Sequence, residues 1–438
     1  MQIRDPIHGP IAVSALEQVV IDSAYFQRLR HIKQLGFSEL TFPGATHSRF
    51  LHSIGAMHLA GLAFDAVFST ASWLPPAERA RLRQTLRLAT LCHDLGHPPM
   101  SHTSEVLLPT LAALAVPLLQ TGEGHASHEH YTLKFLLDSG LTDLLRTAAL
   151  PLGIEPLHVA ALLCEDIACE PAVFQVAGRH IKGILAALAS SELDVDRMDY
   201  LLRDSYFTGV SYGKFDCDWL IDHLTAYETE GGILHLALHE RAVFSFDDFL
   251  LSRHHMFLMV YFHKKSVCYD QMLRKFYEEF PDACVASPDP ETYLLLDDHA
   301  VWRALQLHRH QSPWADGILR RRPLQLIAER TPSGPDEPIA ALAARLQDEG
   351  IVHLRVTSRG AVSKYHPADH ARAIYVRKEP FVGEPHHLPL AQATRLYERY
   401  ADSTVLERIY VPAERAERVG KWLIELRKAE AEAGSLMD

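Results

Sequence analysis

The chain has 438 residues, 47% apolar and 22% charged, a net charge of −12 and 27 histidines. That length and balance exclude a disordered or low-complexity chain and point to one large domain plus a smaller one. The acidic excess argues against duplex nucleic acid as a partner, so any basic patch must be local.

Six cysteines (Cys92, Cys164, Cys169, Cys217, Cys268 and Cys284) form no CxxC pair and no framework spacing. They read as reduced thiols in a cytoplasmic protein. The start, Met1-Gln-Ile-Arg-Asp-Pro, has no basic segment followed by an apolar one. No apolar run is long enough to cross a bilayer, so no membrane association is expected.

Helical periodicity dominates to about residue 280. A short alternating start (Ile3, Ile7, Ile11, Val13) precedes a capping box, Ser14 with Glu17, that opens a first helix. A second helix is predicted from Tyr25 to Leu35, stopping at Gly36. A third begins near Ser48 and fades near Trp73. A fourth, from Ala77 to about Leu95, ends where Gly96 and Pro98-Pro99 forbid continuation. Similar patterns cover 127–138, 156–165, 179–190, 193–206 and 245–278, with a strand after Gly231-Gly232. Beyond Pro281, helices (337–348, 388–400, 412–430) alternate with short strands (351–357, 372–378, 406–411). The clearest break is Thr331-Pro-Ser-Gly-Pro-Asp-Glu-Pro. The expected architecture is mainly α: a helical domain over 1–280, then a small α+β lobe over 281–438 serving oligomerisation or regulation.

The chemistry concentrates in Leu88-Ala-Thr-Leu-Cys-His-Asp-Leu-Gly-His-Pro-Pro-Met-Ser-His. Adjacent His93 and Asp94 point about 100° apart on a helix, so they converge on one ion only near a helix end with ligands from elsewhere. Candidates are His52, in Ser48-Arg-Phe-Leu-His-Ser, and Asp196, in Asp194-Val-Asp-Arg-Met-Asp-Tyr. Two imidazoles and two carboxylates suit Mn²⁺, Fe²⁺ or Ni²⁺, with Mg²⁺ also compatible. The bland alternative is a capped core histidine beside a helix-end acid.

The string His52…His93-Asp94…Asp196 resembles the HD-domain metal phosphohydrolases. Asp5-Pro-Ile-His-Gly, Phe26-Gln-Arg-Leu-Arg-His-Ile-Lys-Gln-Leu-Gly and Phe42-Pro-Gly-Ala-Thr-His-Ser narrow the likeness to the deoxynucleoside triphosphate triphosphohydrolase branch. It runs in register from about residue 3 to 270. It implies His52, His93, Asp94 and Asp196 as metal ligands, and His102 and His128 as catalytic, with Glu129 orienting His128 and His97 nearby. It implies Arg49, Arg197, Arg253 and Lys264 on the triphosphate. Gln34, Leu35, Asp204 and Tyr200 would choose the sugar, with Tyr261 and His263 beside the base. Asp22, Gln27 and Arg30 match an interface site for a GTP or dGTP activator, although Met1 and Trp219 stand where basic partners are usual. Arg197 stands where Lys is common, and Pro98 replaces a usual Gly.

The implied activity is metal-dependent cleavage of a dNTP to deoxynucleoside and inorganic triphosphate by a homo-oligomer, a dimer or tetramer. Two rivals stay open. One is an HD phosphohydrolase acting on a modified nucleotide or ribonucleotide, or removing phosphates stepwise. The other is a nucleotide-sensing or single-stranded nucleic-acid-binding protein.

Overall fold

The structure, a computed structural model, describes all residues except 120, 121, 123, 332, 333, 335, 336, 361–372, 395, 397–403 and 436–438. Its centre is the Arg49–Val67 helix, apolar nearly all round and buried along most of its length. Such a helix belongs in a core. It is long and apolar enough to cross a membrane, yet 72% of that apolar window is buried inside the protein. It packs against the Pro76–Cys92 and Val195–Thr208 helices. Gly55 makes the second contact close enough: a Cβ there would meet Asp199 Oδ1 at 1.9 Å.

The predicted mainly α core with a small α+β lobe is observed. Ser14 caps the Ala15–Ile21 helix in a full capping box with Glu17. The alternating start is a hairpin, Gln2–Asp5 against Gly9–Ala12. Two long helical patterns are interrupted. The 25–35 segment is helical only over Ala24–Gln27 and the 3₁₀ turn Arg28–His31. Beyond it the Lys33 N–H donates to Asp298 Oδ2 at 2.9 Å, and that long-range bond replaces helix continuation. The 245–278 pattern divides into Val243–Met256, a π turn at Phe257–Tyr261, and Lys264–Glu279.

Leu224–Glu228 and Leu234–His239 form a hairpin, and the second strand pairs parallel with Tyr375–Lys378, which His386–Pro389 completes. Thr404–Val411 runs antiparallel between Gln325–Arg330 and Leu354–Gly360. The Ile339–Asp348 and Ala416–Ser435 helices cover that sheet and share its own apolar cluster, including Leu342, Leu346, Val419 and Trp422. The main core continues past residue 280 through Tyr293, Val301, Leu305 and Ile318. The predicted strand at 372–378 and helix at 388–400 are seen as Tyr375–Lys378 and Leu390–Ala393. Residues 372, 395 and 397–400, and Pro332, Ser333, Pro335 and Asp336 of the predicted break, lie outside the described residues.

Candidate active site

His52 sits in the first turn of the Arg49–Val67 helix, and His93 is the C-cap of Pro76–Cys92 with Asp94 following. Asp196 lies in the first turn of Val195–Thr208, which Asp194 caps through the Arg197 N–H. These helix ends meet. His52 Nε2 is 2.9 Å from Asp196 Oδ1, 3.2 Å from His93 Nε2 and 3.8 Å from Asp94 Oδ2. His93 Nε2 is 3.4 Å from both Asp94 Oδ1 and Asp196 Oδ1. Gly96 permits the turn: a Cβ there would lie 2.1 Å from the His128 carbonyl oxygen.

The donor set asks for a cation. His93 Nδ1 is 2.6 Å from the Thr90 carbonyl, which can only accept, so Nδ1 carries the proton and Nε2 keeps its lone pair. His52 Nδ1 likewise faces Asp199 Oδ2 at 2.8 Å. Two ring lone pairs and the Asp94 carboxylate therefore form a group that could hold a metal ion, with Asp196 Oδ1 beside both rings. Without an ion, protons are drawn in. Burial pushes the His52 imidazole down, but hydrogen bonds from Asp196 and Asp199 outweigh it and lift its pKa to about 10. His93 rises too, against its burial, under Asp94 and Asp196. Burial opposes ionisation of Asp94, yet the Arg49 guanidinium, 2.5 Å away, holds the carboxyl below the usual range.

Asp199 is anchored in turn. It is fully buried, paired with Arg203 at 2.8 Å and with His8 Nε2 at 2.6 Å, while Arg203 also reaches Asp5 at 2.8 Å. Nothing in the spacing of Asp5, His8, Asp199 and Arg203 announces this support. The Asp5-Pro-Ile-His-Gly motif was its visible trace.

Beside the donors lies a histidine cluster. His97 stacks on His128 with ring centroids 3.8 Å apart, and His102 stands edge-on to both at 5.0 and 5.2 Å. The carboxylate that orients His128 is Glu105, not Glu129. Its Oε1 is 2.5 Å from His128 Nδ1 and 3.4 Å from His102 Nδ1. Glu129, next along the His128–Leu137 helix, is exposed and also lines the cavity that His128 lines. Burial pushes the Glu105 carboxyl up, but hydrogen bonds to His102 and His128 overcome this and leave it well below its ordinary value. Burial, then the charges of Arg49, His128 and His102, push His97 well down, so its ring stays neutral. His102 is exposed, with 67% of its side chain open to solvent.

These groups share one cavity of about 780 Å³. Arg49, Arg197 and Arg253 line it, though each meets an acid. Besides Asp94 on Arg49, buried Glu192 takes Arg253 at 2.8 Å and Arg197 at 3.2 Å. Gln34 and Leu35 line the wall, and Gln34 Oε1 is buried with no partner among the described residues. Asp204 is engaged by His47 Nε2 at 2.7 Å and by the Tyr261 hydroxyl at 2.8 Å. Tyr200 lies 6.2 Å from Tyr261 and 6.4 Å from His52, between ring centroids.

His263 and Lys264 are not on the wall. The π turn rotates the chain so that Phe262, Ser266 and Val267 face the cavity, while His263 caps the next helix and Lys264 is exposed. Three further wall residues, Val356, Thr357 and Ser358, come from the C-terminal lobe.

Asp22, Gln27 and Arg30 lie elsewhere and engage one another's surroundings. Gln27 Nε2 donates to the Ile21 carbonyl at 2.7 Å, and Arg30 Nε donates to Gln27 Oε1 at 2.7 Å. The Arg30 guanidinium sits 3.6 Å over the Phe50 ring, and Asp22 accepts from Gln18.

No protein-family model matches the chain. It is 33% identical over 262 residues to the uncharacterized protein YwfO of Bacillus subtilis, covering 59% of this chain and 51% of that protein. It is 31% identical over 281 residues to human deoxynucleoside triphosphate triphosphohydrolase SAMHD1, covering 62% and 43%. The chain spans about half the length of the curated relatives it matches. Among solved structures, a hypothetical protein from Aquifex aeolicus superposes with a TM-score of 0.72 at 26% identity, over 96% of this chain and 99% of that one. A phosphohydrolase from Bacteroides thetaiotaomicron shares the fold, with a TM-score of 0.66 at 22% identity over 94% and 99%. Over about 60% of its length the chain is thus similar in sequence to deoxynucleoside triphosphate triphosphohydrolases, the likeness that the motifs imply.

Proposed function

We propose that this chain hydrolyses deoxynucleoside triphosphates, releasing deoxynucleoside and inorganic triphosphate, and needs a divalent metal to do so. The observation that carries the reading is the convergence of His52, His93, Asp94 and Asp196 within 2.9–3.8 Å, beside a Glu105-bridged histidine pair in one cavity. Human SAMHD1, 31% identical over 281 residues, is named for this reaction.

A divalent ion held there supplies Lewis acidity and charge neutralisation at a phosphoryl oxygen. The protein's own groups do the rest. Arg49, Arg197 and Arg253 bind the triphosphate, exchanging part of their contact with Asp94 and Glu192 for phosphate oxygens. His102 delivers a proton to the leaving ester oxygen, and Glu105 holds His128 by its Nδ1 so that the ring is oriented for proton transfer. Gln34 and Asp204 hold the 3′-hydroxyl, while Tyr200 crowds the position of a 2′-hydroxyl.

The test is incubation with the four dNTPs and the matching NTPs under Mn²⁺, Mg²⁺, Fe²⁺ and Ni²⁺, with products resolved chromatographically. Inorganic triphosphate supports the reading. Pyrophosphate or phosphate alone would assign stepwise hydrolysis instead. Retention of single-stranded DNA on a filter without turnover would assign a binding protein.

Further expected outcomes follow from named contacts. Wild type prefers dNTP over NTP, and Tyr200→Ala narrows that ratio; equal hydrolysis of both by wild type would end the steric account. Asp199→Ala, which removes the acceptor on His52 Nδ1, weakens metal binding by about 10–100-fold, as loss of such a supporting carboxylate usually does. Metal titration of the two proteins checks it, and unchanged affinity would refute the support role.

The reading extends to a cytoplasmic homo-oligomer, dimer or tetramer, activated by GTP or dGTP through Asp22, Gln27 and Arg30, with 281–438 as an oligomerisation or regulatory lobe. GTP is then expected to raise turnover of a second dNTP and to favour the larger assembly. Arg30→Ala removes the stimulation and keeps basal activity. An unstimulated wild type would leave the Gln27–Arg30 bond and the Phe50 contact as bracing only.

A further inference from the structure

A second group of metal-competent side chains lies outside the cavity. His31 ends the Arg28–His31 turn, and Asp297 and His299 stand at the start of the Asp298–Leu307 helix. One donor atom from each falls within 4.8 Å of the others. His299 Nδ1 is 3.3 Å from Asp297 Oδ2, and the His31 and His299 ring centroids are 5.2 Å apart at 65°. Both histidines are exposed and Asp297 is half-buried.

Two features separate this group from a chance meeting of surface chains. The first is bracing of the backbone on both sides of it. Arg28 donates to the Leu296 carbonyl at 2.7 and 3.0 Å, and the Lys33 N–H donates to Asp298 Oδ2 at 2.9 Å. The residues flanking His31 are thus tied to the residues flanking Asp297. The second is division of labour within Asp297: Oδ1 accepts from the Ala300 N–H at 3.1 Å as the helix cap, which fixes the carboxylate and leaves Oδ2 toward the imidazoles.

We propose that His31, Asp297 and His299 form a surface site for a divalent transition metal of the zinc class. Two imidazoles and one carboxylate favour Zn²⁺, Ni²⁺ or Cu²⁺ over Mg²⁺ or Ca²⁺, which prefer all-oxygen shells. Three protein ligands leave a fourth tetrahedral position for water or a group from another molecule. The site also reaches toward the cavity. Asp298 Oδ1 accepts from the Met100 N–H at 2.8 Å, and Met100 and Ser101 both hold positive φ (55°) immediately before His102. An ion at the surface site therefore tightens the bracket on which the His102 turn rests.

Equilibrium dialysis of the full chain against micromolar Zn²⁺, with elemental analysis, tests the site. Wild type is expected to bind one more equivalent than the His31→Ala/His299→Ala variant, whose hydrolysis in zinc-free buffer is unchanged. So that zinc taken up by the cavity donors is not counted, a chain with His93→Ala and Asp94→Ala should keep that equivalent and lose it when His31 and His299 are replaced as well. Asp297→Asn, which preserves the helix cap, should weaken zinc uptake at this site alone. Equal zinc content with and without His31 and His299 in both backgrounds overturns the proposal.

Discussion

Replacing His93 and Asp94 together by Ala is expected to abolish metal uptake in the cavity, and turnover with it, while the far-ultraviolet helical signal stays near that of wild type. The two residues supply one imidazole and one carboxylate of the four donors, and both lie at the end of the Pro76–Cys92 helix rather than within it. Removing them leaves His52 and Asp196, one imidazole and one carboxylate, which is too few to hold a divalent ion against water. It also leaves Arg49 without its 2.5 Å partner, so some loss of stability accompanies the change. Elemental analysis after dialysis, read beside turnover, decides. Retained turnover at the wild-type rate without bound metal would remove the metal from the reaction altogether.

His102→Ala is expected to slow hydrolysis by ~10²–10⁴-fold, the usual effect of losing a positioned acid–base group, with metal content and nucleotide affinity kept. The geometry argues for this split. His102 is exposed on the cavity wall, touches Glu105 only at 3.4 Å, and packs edge-on to His97 and His128 without bonding to the donor cluster. Single-turnover rates and nucleotide binding measured on the same preparation separate the cases. Lost metal with weak nucleotide binding would make His102 a ligand or a structural residue.

Much of the site was legible because its parts sit at helix ends, and helix ends are written locally. Ser127 and Asp194 are caps, Gly96 and Pro98 stop a helix, and His52, His128 and Asp196 each lie in the first turn of a helix. What stayed hidden depends on how elements meet. Glu129, adjacent in the sequence, is the partner that the motifs offer for His128. Only the approach of the Ser101–Leu107 turn to the His128–Leu137 helix chooses Glu105. Glu192 bridges Arg197 and Arg253 across 61 residues of chain, a relation no window of sequence contains. The same holds for Lys264. Its helical pattern is continuous in the sequence, and the π turn at Phe257–Tyr261 that swings it off the wall has no residue signature. The Asp298–Leu307 and Pro313–Leu319 helices were not read from the sequence either.

The strand Leu354–Gly360 places Val356, Thr357 and Ser358 on the cavity wall, although they lie well beyond Lys264–Glu279, the last helix of the primary core to line it. The cavity wall is therefore completed by a part of the chain synthesised late. A chain ending after the Lys264–Glu279 helix would carry His52, His93, Asp94 and Asp196, yet lack the Val356–Ser358 stretch of wall. A complete wall, unlike the donor cluster, has to wait for the C-terminal sheet. A shift of the Thr404–Val411 strand would pass through its neighbour Leu354–Gly360 to that stretch of cavity wall, without passing through His52, His93, Asp94 or Asp196.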